Sequence, residues 1–552
     1  MCRQTKPGNI KMYCDKTNVN VLSALLAASG VGEVVVCPGS RNGVLVHNFH
    51  LMAQTLNNFH VHPATDERSA AFMALGMTLA RRRPAAVCVT SGSALLATLP
   101  AVAEAYHRNA PLLVISADRP PQMIGQLDGQ TIVQQGALQP YTETFQLAEP
   151  SDPTDTTWLR QTVSRALAAL TRDGGRPAHI NVPISEPLFS FTTPHLPAIH
   201  PIRLFSPHTA TPLPQELISA IRAARLPMLV MGHLDQGDSV ADWVSEIDSQ
   251  RSLLVVPDIV ASVPLSRRMA MLERLPQLVD KLSPDLVIHI GGALTGKALK
   301  QKLRTTRNLC VWRIDPGGEM PDTFGALCGV VQCAPEEALK QLAAQTSLSH
   351  KAVGTVADEI DQMAEDYQPH TPAEELMSGI ISSAKRHGQQ PLTLHLANST
   401  SVRAMAPFVD GKGLRILCNR GVNGIEGSVS VAAGYSLASD ALSLLITGDL
   451  SFFYDQNALW TESLDGRLRI VVMNDSHGGI FDHLPGLSAS PATPHLIAGS
   501  HHATAEGTAE TFGLIYKRTD NNHPTLANNL DWLLTVDSER PVVLEVKMSR
   551  QD

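Results

Sequence analysis

The sequence contains no apolar run near the roughly 18 residues that a membrane helix needs. Its opening stretch, MCRQTKPGNIKMYCDKTNVN, has no apolar segment of the kind that directs secretion. No basic run exceeds the RRR at 81–83 and the formal net charge is −8, so the electrostatic footprint of a nucleic-acid binder is missing. There is no C-x-x-C pair. The eight cysteines (Cys2, Cys14, Cys37, Cys88, Cys310, Cys328, Cys333 and Cys418) are scattered, several of them inside apolar runs where a thiol behaves as a small hydrophobe. These absences predict a cytoplasmic protein with reduced thiols, no membrane span and no nucleic-acid partner.

What is present is enough apolar material for several cores: 552 residues, 43% of them hydrophobic. Short β-rich runs alternate with helical patterns. EVVVC (33–37), AAVCVT (85–90) and PLLVISA (111–117) come first, followed by LPMLVMG, SLLVVPD, DLVIHIGG and CVWRIDP between 225 and 316. The last group is LTLHLAN, RILCN, LSLLITG, RIVVMND and PVVLEVKM, between 392 and 548. This rhythm predicts an α/β fold of three doubly wound parallel-sheet domains, spanning about 1–195, 210–345 and 370–552. A Pro/Thr/His-rich stretch at 192–214 and a polar, acidic one at about 344–375 mark the joints. No strict sequence repeat is visible, so any duplication is structural.

Ligands of open α/β sheets bind beyond the carboxyl ends of the strands, which makes the residues after each apolar run informative. Ser40 and Arg41 follow VVVCPG, Asp118 and Arg119 follow LLVISA, Asn398, Ser399 and Arg403 follow LTLHLA, and Asn419 and Arg420 follow RILC. An arginine fork grips a carboxylate with two hydrogen bonds, so four of them in one cleft would suit a substrate with more than one carboxylate. The plainer alternative is local pairing, Arg119 with Asp118 and Arg68 with Glu67.

Two further signals compete over phosphate. Gly448-Asp449 ends one strand run, and 25 to 26 residues later Asn474-Asp475 ends the next. With a helix starting near Ser451, this places hard oxygen ligands for a divalent cation beside a helix N-terminus, a fitting way to hold a diphosphate. The spacing is that of thiamine diphosphate enzymes. GGALTGKA (291–298) instead fits the first part of a P-loop, G-x-x-x-x-G-K, but has Ala298 where Ser or Thr would hold Mg²⁺. It reads either as a Gly-rich turn or as a loop carrying Lys297 over a site.

CPGSR, TDERSAAFMALG, VTSGSA, ISADRPP, TGK, ANSTSVR, NRGVNGIEG, GDLSFFYD and GGIFDHLP stand in the order of one family. Over roughly residues 20–552 the chain resembles the SEPHCHC synthases of menaquinone biosynthesis, a family of thiamine diphosphate enzymes. The resemblance implies that 2-oxoglutarate is decarboxylated on the cofactor and that the succinyl carbanion adds to isochorismate. Both substrates carry two carboxylates, in agreement with the arginine pattern. The domains would then be pyrimidine-binding, central and diphosphate-binding. An acetolactate-type carboligase and a nucleotide-binding protein resting on GGALTGK are the alternatives.

Residue by residue, the resemblance puts Glu67 at the carboxyl that hydrogen-bonds the aminopyrimidine. Its place at the lip of an apolar segment suits a shared proton; as a helix cap, Asp66 fits better. It implies Asp449, Asp475 and the main-chain carbonyl of His477 as ligands of Mg²⁺ or Mn²⁺, with Gly448, Leu450 and Ser451 at the diphosphate. Ile425 would be the apolar wedge that bends the cofactor, and Ile480, Phe481 and Leu484 would line the reacting centre. Ser40, Arg41, Arg119, Gln130, Lys297, Asn398, Ser399, Arg403 and Arg420 would hold substrate carboxylates or hydroxyls, with Glu67, Gln130, Arg403 and Arg420 as the catalytic set. A homodimer with composite active sites, or a dimer of such dimers, completes the expectation.

Overall fold

The computed structural model describes residues 12–152, 154, 156–204, 211–345, 350–387, 391–411, 413–484 and 486–549. Cys2 and parts of both expected joints lie outside them. Three parallel sheets carry the chain. The first has β1 (Glu33–Val36), β2 (His60–Pro63), β3 (Ala85–Val89), β4 (Leu112–Asp118), β5 (Thr144–Gln146) and β6 (Ala178–Pro183) in the order β2-β1-β3-β4-β6-β5. The second has β7 (Pro227–Met231), β8 (Leu254–Pro257), β9 (Leu286–Ile290), β10 (Cys310–Asp315) and β11 (Leu327–Gln332) in the order β11-β10-β9-β7-β8. The third has β12 (Leu392–Leu396), β13 (Arg415–Leu417), β14 (Leu442–Gly448), β15 (Leu468–Asn474), β16 (Ile515–Asp520) and β17 (Val542–Lys547) in the order β13-β12-β14-β15-β17-β16.

Counted from the first strand of each sheet, the first and third sheets share the order 2-1-3-4-6-5, and the second follows 2-1-3-4-5. One winding pattern is therefore used three times without a visible sequence repeat. In each sheet the order reverses at the first strand, the switch point where such folds open a crevice. The inner strands are apolar on both faces because helices cover both; β4, β7, β9 and β15 are buried along their whole length.

The chain forms two compact units. One is residues 1–206 with 433–439 and 460–463; the other holds the remainder, including the second and third sheets. The first unit has its own core, built from residues such as Leu22, Phe49, Ile115 and Ile180. Its helix Glu67–Arg81 is buried from Ser69 to Leu79 without a break, as expected of a helix enclosed on all sides.

In the second unit a single core runs from Val256 and Met271 to Leu394, Leu444 and Val546, joining the second and third sheets. Polar contacts reinforce the join. Ser262 Oγ donates to Ile416 O (2.6 Å) and accepts from Ile416 N (3.1 Å), and Arg267 Nε donates to Pro407 O (2.7 Å). The acidic stretch expected as a joint is largely helical. Helix Lys351–Asp366 buries Val353, Ala357, Ile360 and Ala364, a spacing of four, three and four residues that forms one apolar stripe. Among the described residues no helix is long and apolar enough to cross a membrane.

Candidate active site

The carboxyl ends of β13, β12, β14 and β15 stand side by side and present, in that order, Arg420, Asn398 with Ser399, Asp449 and Asp475. The helix after β14 runs Asp449–Asp455, so it begins two residues before the expected Ser451 and makes Asp449 its first residue. Asp449 is buried; its Oδ1 accepts Leu450 N–H at 2.6 Å and its Oδ2 accepts Ser476 N–H at 2.8 Å. Burial raises the pKa of both Asp449 and Asp475, and for Asp475 the charge of Asp449 adds to it, pushing that carboxyl up to about 6.

Two neighbouring carboxyls that burial makes costly to ionise, one of them further opposed by the charge of the other, form a site a divalent cation would relieve. His501 Nε2 lies 3.2 Å from Asp449 Oδ2 yet makes no hydrogen bond, although buried. No three His, Cys, Asp or Glu side chains among the described residues come together as a metal cage. Two carboxylates completed by main-chain and phosphate oxygens are the mode that suits Mg²⁺. The residues present therefore fit the cofactor's metal.

Asn474 is held at both ends of its amide: its Oδ1 accepts at 2.9 Å the Ser476 N–H that Asp449 also accepts. Asn474 Nδ2 donates to Glu545 Oε1 (2.5 Å) and Ala503 O (3.0 Å), inside the fold. His477 is fixed by its side chain, with Nδ1 2.9 Å from Asp475 O and Nε2 2.6 Å from Asp482 Oδ2. Burial opposes charge on that ring, but Asp482 and Asp475 hold its pKa above the ordinary value. Its carbonyl accepts Gly479 N–H at 3.1 Å, which leaves one lone pair. Ile425 and Leu484 are exposed; Ile480 and Phe481 are half-buried on the short helix Gly479–His483. Ser451 Oγ donates to Ile425 O at 2.7 Å, tying the β14 helix to the loop after β13.

The two arginines of this edge are neighbours. Arg420 is buried and donates to Asn398 Oδ1 (3.1 Å) and Leu294 O (3.2 Å), while its Nε has no hydrogen-bond partner. Arg403 Nη1 donates to Ser399 O at 3.1 Å. Burial first, then the charge of Arg420, lowers the Arg403 pKa. Two desolvated guanidiniums side by side call for an anion. Ser399 holds a left-handed φ of 73°, a conformation that costs a non-glycine residue of order 1–3 kcal/mol and clusters at functional sites. Asn398 Nδ2 ties the loops together through Asn419 O (2.7 Å) and Gly424 O (2.8 Å).

In the first unit, Asp66 caps the helix through Arg68 N–H (2.9 Å) and Ser69 N–H (3.1 Å), leaving half-buried Glu67 for another role. The local pairings considered from sequence are replaced by others. Arg68 Nη2 approaches Asp66 at 4.0 Å rather than Glu67, and the Arg119 side chain donates to Gly129 O at 3.0 Å instead of pairing with Asp118. Arg41 is buried against Ile184 O (2.9 Å) and Glu186 (3.1 Å). Ser40 and Gln130 are exposed, and Gln130 adopts a left-handed φ of 55°. Arg41 and Arg119 thus belong to one unit, and Arg403 and Arg420 to the other.

GGALTGKA is not a free phosphate loop. The amides of Thr295, Gly296, Lys297 and Leu299 already donate to the carboxylates of Asp258 and Glu273. Lys297 is exposed at the N-cap of helix Ala298–Thr305. His501 and Glu273 follow no strand run, and Asp258, although it ends the run SLLVVPD, has no arginine or paired polar residue after it to mark it as a site residue.

Three doubly wound sheets, together with a match of residues 16–146 to the family described as thiamine pyrophosphate enzyme, N-terminal TPP binding domain, define the class: a thiamine diphosphate enzyme. The chain is 36% identical over 546 residues to the 2-succinyl-5-enolpyruvyl-6-hydroxy-3-cyclohexene-1-carboxylate synthase of Bacteroides thetaiotaomicron, covering 97% of this chain and 96% of that one. Proteins of the same name from Phocaeicola vulgatus (36% over 524 residues, 92% and 91% covered) and Desulfotalea psychrophila (33% over 515 residues, 91% and 93% covered) are also similar. The chain belongs to the 2-succinyl-5-enolpyruvyl-6-hydroxy-3-cyclohexene-1-carboxylate (SEPHCHC) synthase family.

Proposed function

We propose that this chain is a transferase that uses thiamine diphosphate and Mg²⁺ or Mn²⁺ to decarboxylate 2-oxoglutarate and join the succinyl unit to isochorismate, forming SEPHCHC for menaquinone biosynthesis. The observation that carries the reading is the single sheet edge on which the Asp449–Asp475 carboxylates adjoin the Arg403–Arg420 guanidiniums. When bound, the cofactor supplies the electron sink on which a 2-oxo acid loses CO₂. Asp449, Asp475 and the His477 carbonyl would hold its metal, and Gly448, Leu450 and Ser451 would meet the diphosphate. Ile425 would pack against the cofactor, with Ile480, Phe481 and Leu484 lining the place where the substrate reacts. Glu67 would be the carboxyl that hydrogen-bonds the pyrimidine ring.

Arg403 and Arg420, steadied by Asn398 and Ser399, orient substrate carboxylates. Ser40, Arg41, Arg119, Gln130 and Lys297 are assigned to the remaining carboxylates and hydroxyls. The domains are assigned as 1–195 (pyrimidine-binding), 210–345 (central) and 370–552 (diphosphate-binding); each sheet falls within one span. The assembly is assigned as a homodimer with composite sites. The compartment is assigned as the cytoplasm, a reading supported by the absence of disulfides among the described cysteines.

The test is to incubate the pure protein with thiamine diphosphate, Mg²⁺, 2-oxoglutarate and isochorismate and to follow adduct and CO₂ by mass spectrometry. Adduct formation is expected. CO₂ release without adduct, or flavin bound to the purified protein, would point to another carboligase and overturn the assignment.

A further inference from the structure

The Gly291–Lys297 loop carries a phosphate-loop pattern but holds carboxylates instead. Asp258 is wholly buried and accepts Thr295 N–H (2.6 Å), Thr295 Oγ–H (2.8 Å) and Gly296 N–H (3.3 Å). Glu273 accepts Lys297 N–H (2.8 Å) and Leu299 N–H (3.2 Å). The fit is close at Gly296, where a Cβ would stand 2.7 Å from Met269 Sδ and 3.0 Å from Glu273 Oε1 and would push at least one of those side chains aside. Five hydrogen-bond donors of one loop are thus satisfied from two acids 15 residues apart on a neighbouring segment.

The other side of this loop faces the arginines. Leu294 O is one of the two groups that orient the Arg420 fork. Glu273, Thr295, Met269 and Arg403 line one cleft, and the charge of Glu273 acts on Arg403 against that of Arg420. With the Val260 N–H at 3.3 Å as a fourth donor, the buried Asp258 carboxylate is held rigidly, and a guanidinium placed by a rigid carbonyl loses little entropy when it binds a planar anion.

We infer that Asp258 and Glu273 are positioning residues for dicarboxylate recognition: by clamping the 291–299 loop they aim Arg420 through Leu294 O and set a counter-charge beside Arg403. The inference rests on the proposed function and extends it to residues that touch no substrate. The clamp acts on substrate binding and leaves the Asp449–Asp475 metal pair untouched.

The experiment is a double-mutant cycle of Asp258→Asn with Arg420→Lys, measuring KM for 2-oxoglutarate and isochorismate, and the Kd of thiamine diphosphate with Mg²⁺ by fluorescence titration. Asp258→Asn alone should raise KM for at least one dicarboxylate about tenfold, the scale of one charged hydrogen bond, and leave the cofactor Kd within about twofold. In the Arg420→Lys background the same change should add less than about twofold, because its effect passes through the fork already lost. Effects that simply multiply, or a cofactor Kd that rises with KM, would show a merely structural role and overturn the inference. If Asp258→Asn does not fold, Glu273→Gln cycled with Arg403→Lys is read by the same criteria. A wild-type protein that forms no adduct sinks the proposed function and this inference with it; an active wild type with a multiplicative cycle sinks the inference alone.

Discussion

Asn474 and Asp449 share one donor: the Ser476 N–H lies 2.9 Å from Asn474 Oδ1 and 2.8 Å from Asp449 Oδ2, while Asn474 Nδ2 is bonded to Glu545 Oε1 at 2.5 Å inside the fold and Asp475, the next residue, shares its electrostatic environment with Asp449. Both polar ends of the Asn474 amide are thus already held by protein partners, whereas the Asp475 carboxyl beside Asp449 is pushed up to about 6, so Asp475 is the proposed ligand of the cofactor's metal. Asp475→Ala should therefore abolish Mg²⁺-dependent retention of thiamine diphosphate on gel filtration. Asn474→Ala should retain the cofactor but lower stability by about 1–3 kcal/mol, since it takes a donor from a buried carboxylate. The reverse ranking would place the ligand one residue earlier.

The arginine pair makes a second distinction. Arg403→Lys and Arg420→Lys keep the charge and lose the planar fork, so kcat/KM should fall by the equivalent of about 1–3 kcal/mol per charged hydrogen bond. Cofactor affinity should be unchanged, because Arg403 lies on the helix Thr400–Met405 after β12 and Arg420 on the loop after β13, whereas Asp475 follows β15. Wild-type kcat/KM for both substrates in both variants would rule out the clamp.

Much of this was legible in the sequence, and the exceptions share a physical cause. Strands buried on both faces announce themselves as apolar runs, and the rule that ligands gather at carboxyl ends then led to Asp449, Asp475, Arg403 and Arg420. β6 escaped notice because His179 and Asn181 break its apolar run; buried, they build a hydrogen-bonded network with Ser116, Gln134 and Asp118. β2, β5, β11 and β16 are edges with little to bury, and IYKRTD in β16 is mostly exposed. The helix Lys351–Asp366 was hidden by its charged outer face. Asp258 and Glu273 act on backbone amides 37 and 24 residues away, and such long-range caps leave no local pattern.

The His179 network also sets a pH dependence. The ring is fully buried, and burial depresses its pKa to about 3, so the folded state holds it neutral. A depressed base contributes stability above its unfolded pKa and loses it as pH falls towards the folded value. With an unfolded pKa near 6.5, the loss between pH 7 and pH 5 is about 2 kcal/mol. His179→Asn should be less stable than wild type at pH 7 but should lose about 2 kcal/mol less on going to pH 5, as read by urea unfolding at both pH values. Parallel losses in the two proteins would mean that the ring is protonated when folded.

Glu67 and Asp449 lie in different compact units of the chain, and the family resemblance assigns them to one cofactor gripped from two subunits. On that proposed assignment the minimal active unit would be a two-fold dimer with two composite sites. Glu67→Gln should bind cofactor without activating it, and Asp449→Ala should fail to hold the diphosphate, so each homodimer should be nearly inactive. In a mixed dimer one site collects both lesions and the other collects neither. Refolding equal amounts of the two variants makes about half of all dimers mixed, each with one intact site of two, and should restore about a quarter of wild-type activity if pairing is random and sites act independently. Native mass spectrometry establishes that mixed dimers have formed. Activity that then stays at the level of the parent variants would place Glu67 and Asp449 of the same chain in one site, and the composite assignment would fall.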